Sequence, residues 1–201
     1  LREYTVEAGR PDTITPEKLS VLRAHGVDRI SVNPQTMSDE VLRVIGRRHT
    51  AADIYRALDM VRAEGGFAVN MDLIAGLPAD SVQGFSETLD AVLALAPENI
   101  TVHTLALKKG SRITLAVTDG DGAALPAPEQ VGDMLTEAMG RLRKAGYAPY
   151  YLYRQKFMSG GFENVGWAKP GYDSLYNICI MEELCSIIAM GGGASTKLVD
   201  A

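Results

Sequence analysis

Apolar and polar positions along this chain alternate between two periods. Residues 2–7 (REYTVE) carry the β-branched and aromatic spacing of a strand. Thr15 and Pro16 then offer an N-cap and a first helical position for PEKLSVLRAHG, which Gly26 closes. DRISVNP (28–34) reads as a second strand. Two helices follow, over 39–45 and 51–64, the latter stopped by Gly65-Gly66. FAVNMDLIAG (67–76) is a third strand running into Leu77-Pro78. Asp80 or Ser81 caps a helix with Val82, Phe85, Leu89, Val92 and Leu93 on one side. ENITVHTLAL (98–107) is a fourth strand, and a polar loop spans 108–126. The helix over 128–145 repeats Val131, Met134, Leu135, Ala138, Met139 and Leu142 at helical spacing, so both methionines read as core. PYYLYR (149–154) is a fifth strand. MSGGFENVGWAKPGY (158–172) reads as turn-rich, and a last helix over 176–189 ends at Gly191-Gly192-Gly193.

Strands separated by helices of this length imply parallel β/α crossovers. The pattern fits part of a β/α barrel or an open doubly wound sheet, and does not choose between them. In both, ligands sit at the C-terminal ends of the strands. The polar residues there are Glu7, Asn33 and Gln35, then Asn70 and Asp72, then His103 and Thr104 with Ala106 beyond, and finally Arg154 and Lys156. Carboxylates and amides accept from ribose hydroxyls and from an α-ammonium. An arginine fork clamps a carboxylate, and a small residue such as Ala106 lets a flat ring approach the backbone. Asp72 stands out, because an unpaired carboxylate inside the apolar run VNMDLIAG is costly.

Composition narrows the classes. The chain has 201 residues, 46% hydrophobic, with a net charge of −5. That describes a globular unit with a core and gives no electrostatic footprint for nucleic acid. No apolar run approaches the roughly 18 to 20 residues of a membrane span. The run from Leu89 to Ala96 is broken by Asp90. Two cysteines and no secretory signal make a reducing cytoplasm the expected location. Cys179 and Cys185 lie on the expected last helix without sharing a face, and read as small buried hydrophobes. The first residue is Leu1, and the last follow a glycine-rich turn, so both ends read as cuts within a longer protein.

VEAGRPDTIT (6–15), RISVNPQTM (29–37), VIGRRHT (44–50) and VNMDLIAGLPADSVQGFSETL (69–89) resemble the radical S-adenosylmethionine core of oxygen-independent coproporphyrinogen III oxidases. FMSGGFENVGWAKPGYDSLYNICIMEE (157–183) resembles the HemZ-type coproporphyrinogen dehydrogenases more specifically. The resemblance implies an α/β fold, a partial β/α barrel of the radical SAM type with outer helices and several N-terminal strands missing. Residues 1–154 would be the central and later β/α units, and 155–201 a loop and helix region completing the site.

By the same resemblance, S-adenosyl-L-methionine and a [4Fe-4S] cluster are the cofactors. Glu7, Gln35, Arg47, Asp72, Ala106 and Ser195 would contact S-adenosylmethionine, Arg47 through the methionine carboxylate. The cluster motif, C-x₃-C-x₂-C, is absent and would lie upstream of Leu1; Cys179 and Cys185 cannot replace it. The implied reaction is oxidative decarboxylation of coproporphyrinogen III propionates to vinyl groups, giving protoporphyrinogen IX in anaerobic haem biosynthesis. The partners would be a tetrapyrrole substrate and an electron donor. Arg154 and Lys156, with Lys108 and Lys109 behind them, are the cations proposed for substrate propionates. The alternatives are a haem-binding chaperone of the same family, or a radical SAM enzyme with another substrate. His49 and His103 read as supporting residues.

Overall fold

The computed structural model describes residues 1–107, 124–153 and 161–199. Six strands form one sheet in the order β1-β2-β3-β4-β6-β5, with β1 and β5 at its edges. They are β1 (Thr5–Gly9), β2 (Arg29–Val32), β3 (Ala68–Ala75), β4 (Asn99–Thr104), β5 (Ala148–Tyr153) and β6 (Asn164–Ala168). The first four pair in parallel, each reached through helix: α1 (Pro16–Ala24), then α2 (Asp39–Val44) with α3 (Ala51–Glu64), then α4 (Val82–Leu95). This is the mostly parallel α/β architecture expected, as an open sheet.

The turn-rich reading of 158–172 is corrected. Asn164–Ala168 form β6, which inserts between β4 and β5 and runs antiparallel to both. Its alternation is hidden in the sequence because Gly166 stands where a side chain would mark a face. The fifth expected stave is therefore present but is not the neighbour of the fourth.

Local chemistry accounts for the helix starts. Thr15, Ser38, Thr50 and Ser81 each accept a backbone N–H of the first turn at their helix N-termini. Thr50 and Asp53 form a reciprocal capping box. The helices cover one face of the sheet. Val69, Met71, Leu73 and Ala75 of β3 are wholly buried there, against Ile54, Leu58 and Val61 of α3 and Phe85, Leu89 and Val92 of α4. Each of these side chains larger than that of Ala75 contributes about 1.5–3 kcal/mol by leaving water.

α5 (Pro128–Lys144) buries Val131, Met134, Ala138 and Leu142. Met139 departs from expectation: it is 38% exposed, on the solvent side of the same helix. α6 spans only Leu175–Met181, shorter than the sequence pattern suggests. It stops because Glu183 turns left-handed, at φ 53°, and the Leu184 amide bonds back to the Cys179 carbonyl at 3.0 Å. Cys185 therefore lies past the helix end and is exposed, while Cys179 is half-buried; both are free thiols.

Candidate functional site

The face of the sheet turned away from the helices is polar, because the period-two pattern places alternate residues of every strand there. Register aligns Glu7 with Ser31, Ser31 with Asn70, and Asp72 with Thr101. Between Glu7 and Gly9 the β1 register slips, and Gly9 takes φ 64°, a bulge that bends the strand end beside Glu7.

Hydrogen bonds tie this face together. Ser31 Oγ donates to Glu7 Oε2 at 2.5 Å, and Asn33 Nδ2 approaches the same oxygen at 3.5 Å. Asn70 Nδ2 donates to Asp72 Oδ1 at 2.8 Å, and Thr101 Oγ1 to Asn70 Oδ1 at 3.3 Å. His103 Nε2 stands 3.7 Å from Asp72 Oδ2, and Tyr153 Oη is 3.5 Å from His103 Nδ1. Tyr151 lies across Gly166 to bring its hydroxyl within 3.4 Å of Thr101 Oγ1. Burial pushes the Tyr151 phenol well above its ordinary range, so it stays protonated and able to donate.

Gln35 joins the same place by its backbone. It adopts φ 68°, a conformation costing about 1–2 kcal/mol for a residue with a Cβ. Its amide donates to the Asp72 carbonyl and its carbonyl accepts from Ile74, each at 2.9 Å. Those two strand-like bonds hold Gln35 beside Asp72 in spite of the strain.

Of the expected cofactor contacts, Glu7 and Asp72 are thus brought onto one surface, and Gln35 is bonded to the Asp72 backbone at its edge. A cavity of about 490 Å³ opens on it, lined by Glu7, Arg29, Ser31, Asn70, Tyr150 and Asn177 among others. Ala106 is half-buried two residues past β4, whose end is anchored by the Leu105 amide bonding to the Ala75 carbonyl at 3.0 Å. Arg47 lines a separate hollow of about 350 Å³ with Arg10, Asp12, Gly46, Arg48 and His49. Ser195 stands apart, exposed in a loop closed by antiparallel pairing of Ile187 with Lys197. Arg154, Lys156, Lys108 and Lys109 lie outside the described residues.

His49 is buried, with Nε2 lacking a partner among the described residues. Burial first, and then the charge of Arg47, hold its pKa below the ordinary imidazole value, against a hydrogen bond to the Pro34 backbone. Its imidazole is neutral beside the arginines. Sequence reasoning passed over Ser31 and Thr101 as members of the polar face. The pattern Asn99-x-Thr101-x-His103 opposite Ile100 and Val102 was the available signal for β4.

Two carboxylates, an amide and several hydroxyls on one half-open surface can accept and donate to a hydroxylated, amine-bearing small molecule. S-adenosylmethionine fits that donor set, since Asp72 uses only one hydrogen bond on Oδ1 and has lone pairs to spare. An iron–sulfur cluster finds no ligand set among the described residues. No group of three or more His, Cys, Asp and Glu side chains suited to a metal ion occurs among the described residues, and the chain has two cysteines in all.

Residues 3–92 match the model of the Radical SAM superfamily, a stretch that includes Glu7, Gln35, Arg47 and Asp72. The chain is 46% identical over 200 residues, all but its whole length, to the oxygen-independent coproporphyrinogen-III oxidase-like protein HemZ of Bacillus subtilis (strain 168), of which it covers 39%. It is 29% identical over 178 residues to the heme chaperone HemW of the same organism, covering 89% of this chain and 43% of the relative. Among solved structures it resembles the coproporphyrinogen III oxidase HemN of Escherichia coli, a radical SAM enzyme. The TM-score there is 0.73 and the identity 26%, over 98% of this chain and 44% of that one. The chain thus spans about two fifths of the length of the relatives it matches. A mostly parallel sheet with its polar face laid open at the strand ends, the family match over residues 3–92 and a relative aligned along all of this chain make the chain a member of the Radical SAM superfamily.

Proposed function

We propose that the whole protein is an oxygen-independent coproporphyrinogen III oxidase, which converts propionate side chains to vinyl groups by oxidative decarboxylation and yields protoporphyrinogen IX. The observation that carries this reading is the placing of Glu7 and Asp72 on one polar face, with Gln35 bonded to the Asp72 backbone, in a chain 46% identical to the oxidase-like HemZ. When bound, S-adenosylmethionine and a [4Fe-4S] cluster supply the one-electron chemistry for taking hydrogen from carbon.

The chain's own residues bind and orient. Asp72 accepts from the cofactor's amine or hydroxyl groups, and Glu7 from its ribose or amino acid part. Gln35, locked against β3, presents its amide beside them. Arg47 takes the methionine carboxylate in the arginine-lined hollow, while neutral His49 adds no competing charge. Ala106 offers backbone to the adenine, and Ser195, standing apart in its exposed loop, joins the set only if that loop folds toward the polar face. Arg154 and Lys156 meet the substrate propionates. The reducing partner is an electron donor, and the setting is the cytoplasm. No helix among the described residues is long and apolar enough to cross a membrane.

The test is anaerobic reconstitution of the intact protein, with mass analysis of the porphyrin products. Appearance of the two-vinyl product supports the oxidase. The HemW relatives favour a second reading, a haem chaperone, at lower identity. Tight haem binding without vinyl product would select it. Within either reading, Asp72→Ala weakens S-adenosylmethionine binding and leaves cluster content intact. Unchanged affinity would remove Asp72 from the site.

A further inference from the structure

Asp72 is the meeting point of a hydrogen-bonded chain and a looser polar chain, each beginning at a tyrosine of an edge strand. One runs from Tyr151 through Thr101 and Asn70 to Asp72 Oδ1, with spacings of 3.4, 3.3 and 2.8 Å. The other runs from Tyr153 through His103 to Asp72 Oδ2, at 3.5 and 3.7 Å. The direction of the first is dictated by its end. An ionised carboxylate only accepts, so the Asn70 amide must turn its NH₂ to Asp72 and its oxygen to Thr101. Thr101 then spends its hydrogen on Asn70, and Tyr151 donates to Thr101. In the second chain, His103 turns Nε2 toward Asp72 and Nδ1 toward the Tyr153 hydroxyl.

Both tyrosines belong to β5, which is not the neighbour of β4; β6 lies between them. They reach β4 because Gly166 of β6 leaves room for the Tyr151 ring to lie flat across it. Tyr153 stacks on Tyr151 at 6.3 Å with planes 15° apart, and meets the His103 ring edge-on at 6.4 Å.

We infer that His103 and Tyr153 are positioning residues that hold the Asp72 carboxylate from the sheet side and aim its remaining lone pairs at the ligand. The inference rests on the reading of Asp72 as a cofactor contact. A carboxylate gripped on one oxygen by Asn70 still swings about its last torsion. A donor at the second oxygen removes that freedom before the ligand arrives, so less is lost on binding. At 3.7 Å the His103 Nε2 to Asp72 Oδ2 separation is longer than a hydrogen bond, and a small rotation of either side chain closes it.

The experiment uses the intact, cluster-reconstituted protein and titrates S-adenosylmethionine against wild type, Asp72→Asn, His103→Phe, His103→Gln, Tyr153→Phe and the pair Asp72→Asn/His103→Phe. His103→Phe keeps the ring's bulk and removes the donor, and is expected to weaken affinity about five- to tenfold. His103→Gln restores an N–H toward Oδ2 and recovers most of that loss. Tyr153→Phe, which deletes one hydroxyl, costs about two- to threefold and guards against a misfolded histidine variant. In the Asp72→Asn background, His103→Phe adds less than about twofold, because the group it acts through is gone. Equal losses in His103→Phe and His103→Gln, or losses that multiply with Asp72→Asn, overturn the inference. Wild-type affinity in Asp72→Asn overturns instead the cofactor reading beneath it.

Discussion

Replacing Gly166 by alanine adds one methyl group at the centre of the polar face. The backbone there is not left-handed, so the effect is purely steric. A Cβ built at Gly166 overlaps the Tyr151 ring along one edge and stands 2.6 Å from its Cζ, where carbon atoms keep about 3.5–4.0 Å apart. Tyr151 cannot simply swing away. It is 9% exposed, its hydroxyl reaches Thr101, Tyr150 meets it edge-on at 4.8 Å, and Tyr153 stacks on its far side. The ring must be displaced by about 1 Å or more to restore contact distance, and it carries Tyr153 with it. Overpacking of this kind costs about 1–3 kcal/mol, and the weakened hydroxyl bond adds about 1 kcal/mol. A loss near 2–4 kcal/mol lowers the melting temperature of a chain this size by roughly 4–16 °C, and that of the longer intact protein by less. Thermal unfolding of the intact protein followed by circular dichroism reads it. The companion variant Gly166→Ala/Tyr151→Leu removes the overlap and is expected to cost less than the sum of its parts. A Gly166→Ala protein that melts within 1 °C of wild type, or strict additivity with Tyr151→Leu, refutes the argument.

His49 makes stability depend on pH. Its folded pKa lies below the ordinary 6.5, so the unfolded chain binds the proton more readily, and its contribution is lost as pH falls through 6.5 toward the lower folded value. Urea unfolding between pH 5 and 8 is expected to show stability rising with pH across that window, and His49→Asn to flatten the rise; an unchanged slope contradicts it. Arg29 is buried and joins strands to the C-terminal segment through Glu3, Asn99 and the Tyr172 carbonyl. Arg29→Ala removes these charge-assisted contacts, although Glu3 keeps the Thr5, Ser174 and Leu175 donors and the Tyr172 carbonyl keeps Asn99; it is expected to destabilise by about 1.5–3 kcal/mol, whereas a change under 1 kcal/mol in the same assay denies the clamp.

The alternation of apolar positions located every parallel strand and the first five helices, since burial on one side of a helix or strand must repeat with its period. The caps at Thr15, Ser38, Thr50 and Ser81 are equally local: a hydroxyl reaches amides two or three residues on. Asp72 was legible as well, because a carboxylate in an apolar strand demands a partner. The partners themselves were not. His103 and Tyr153 are separated by 50 residues, and only the insertion of β6 beside β4 brings them together. That insertion turns on Gly166, a residue that marks no face in a hydrophobic pattern and matters through what it leaves empty. The end of α6 was hidden for a related reason, since it depends on a left-handed Glu183 that helix propensity does not favour or foresee. Local periodicity determined which segments exist and which side of each is apolar. Tertiary packing alone decided which strands became neighbours, and therefore which side chains surround the Asp72 carboxylate.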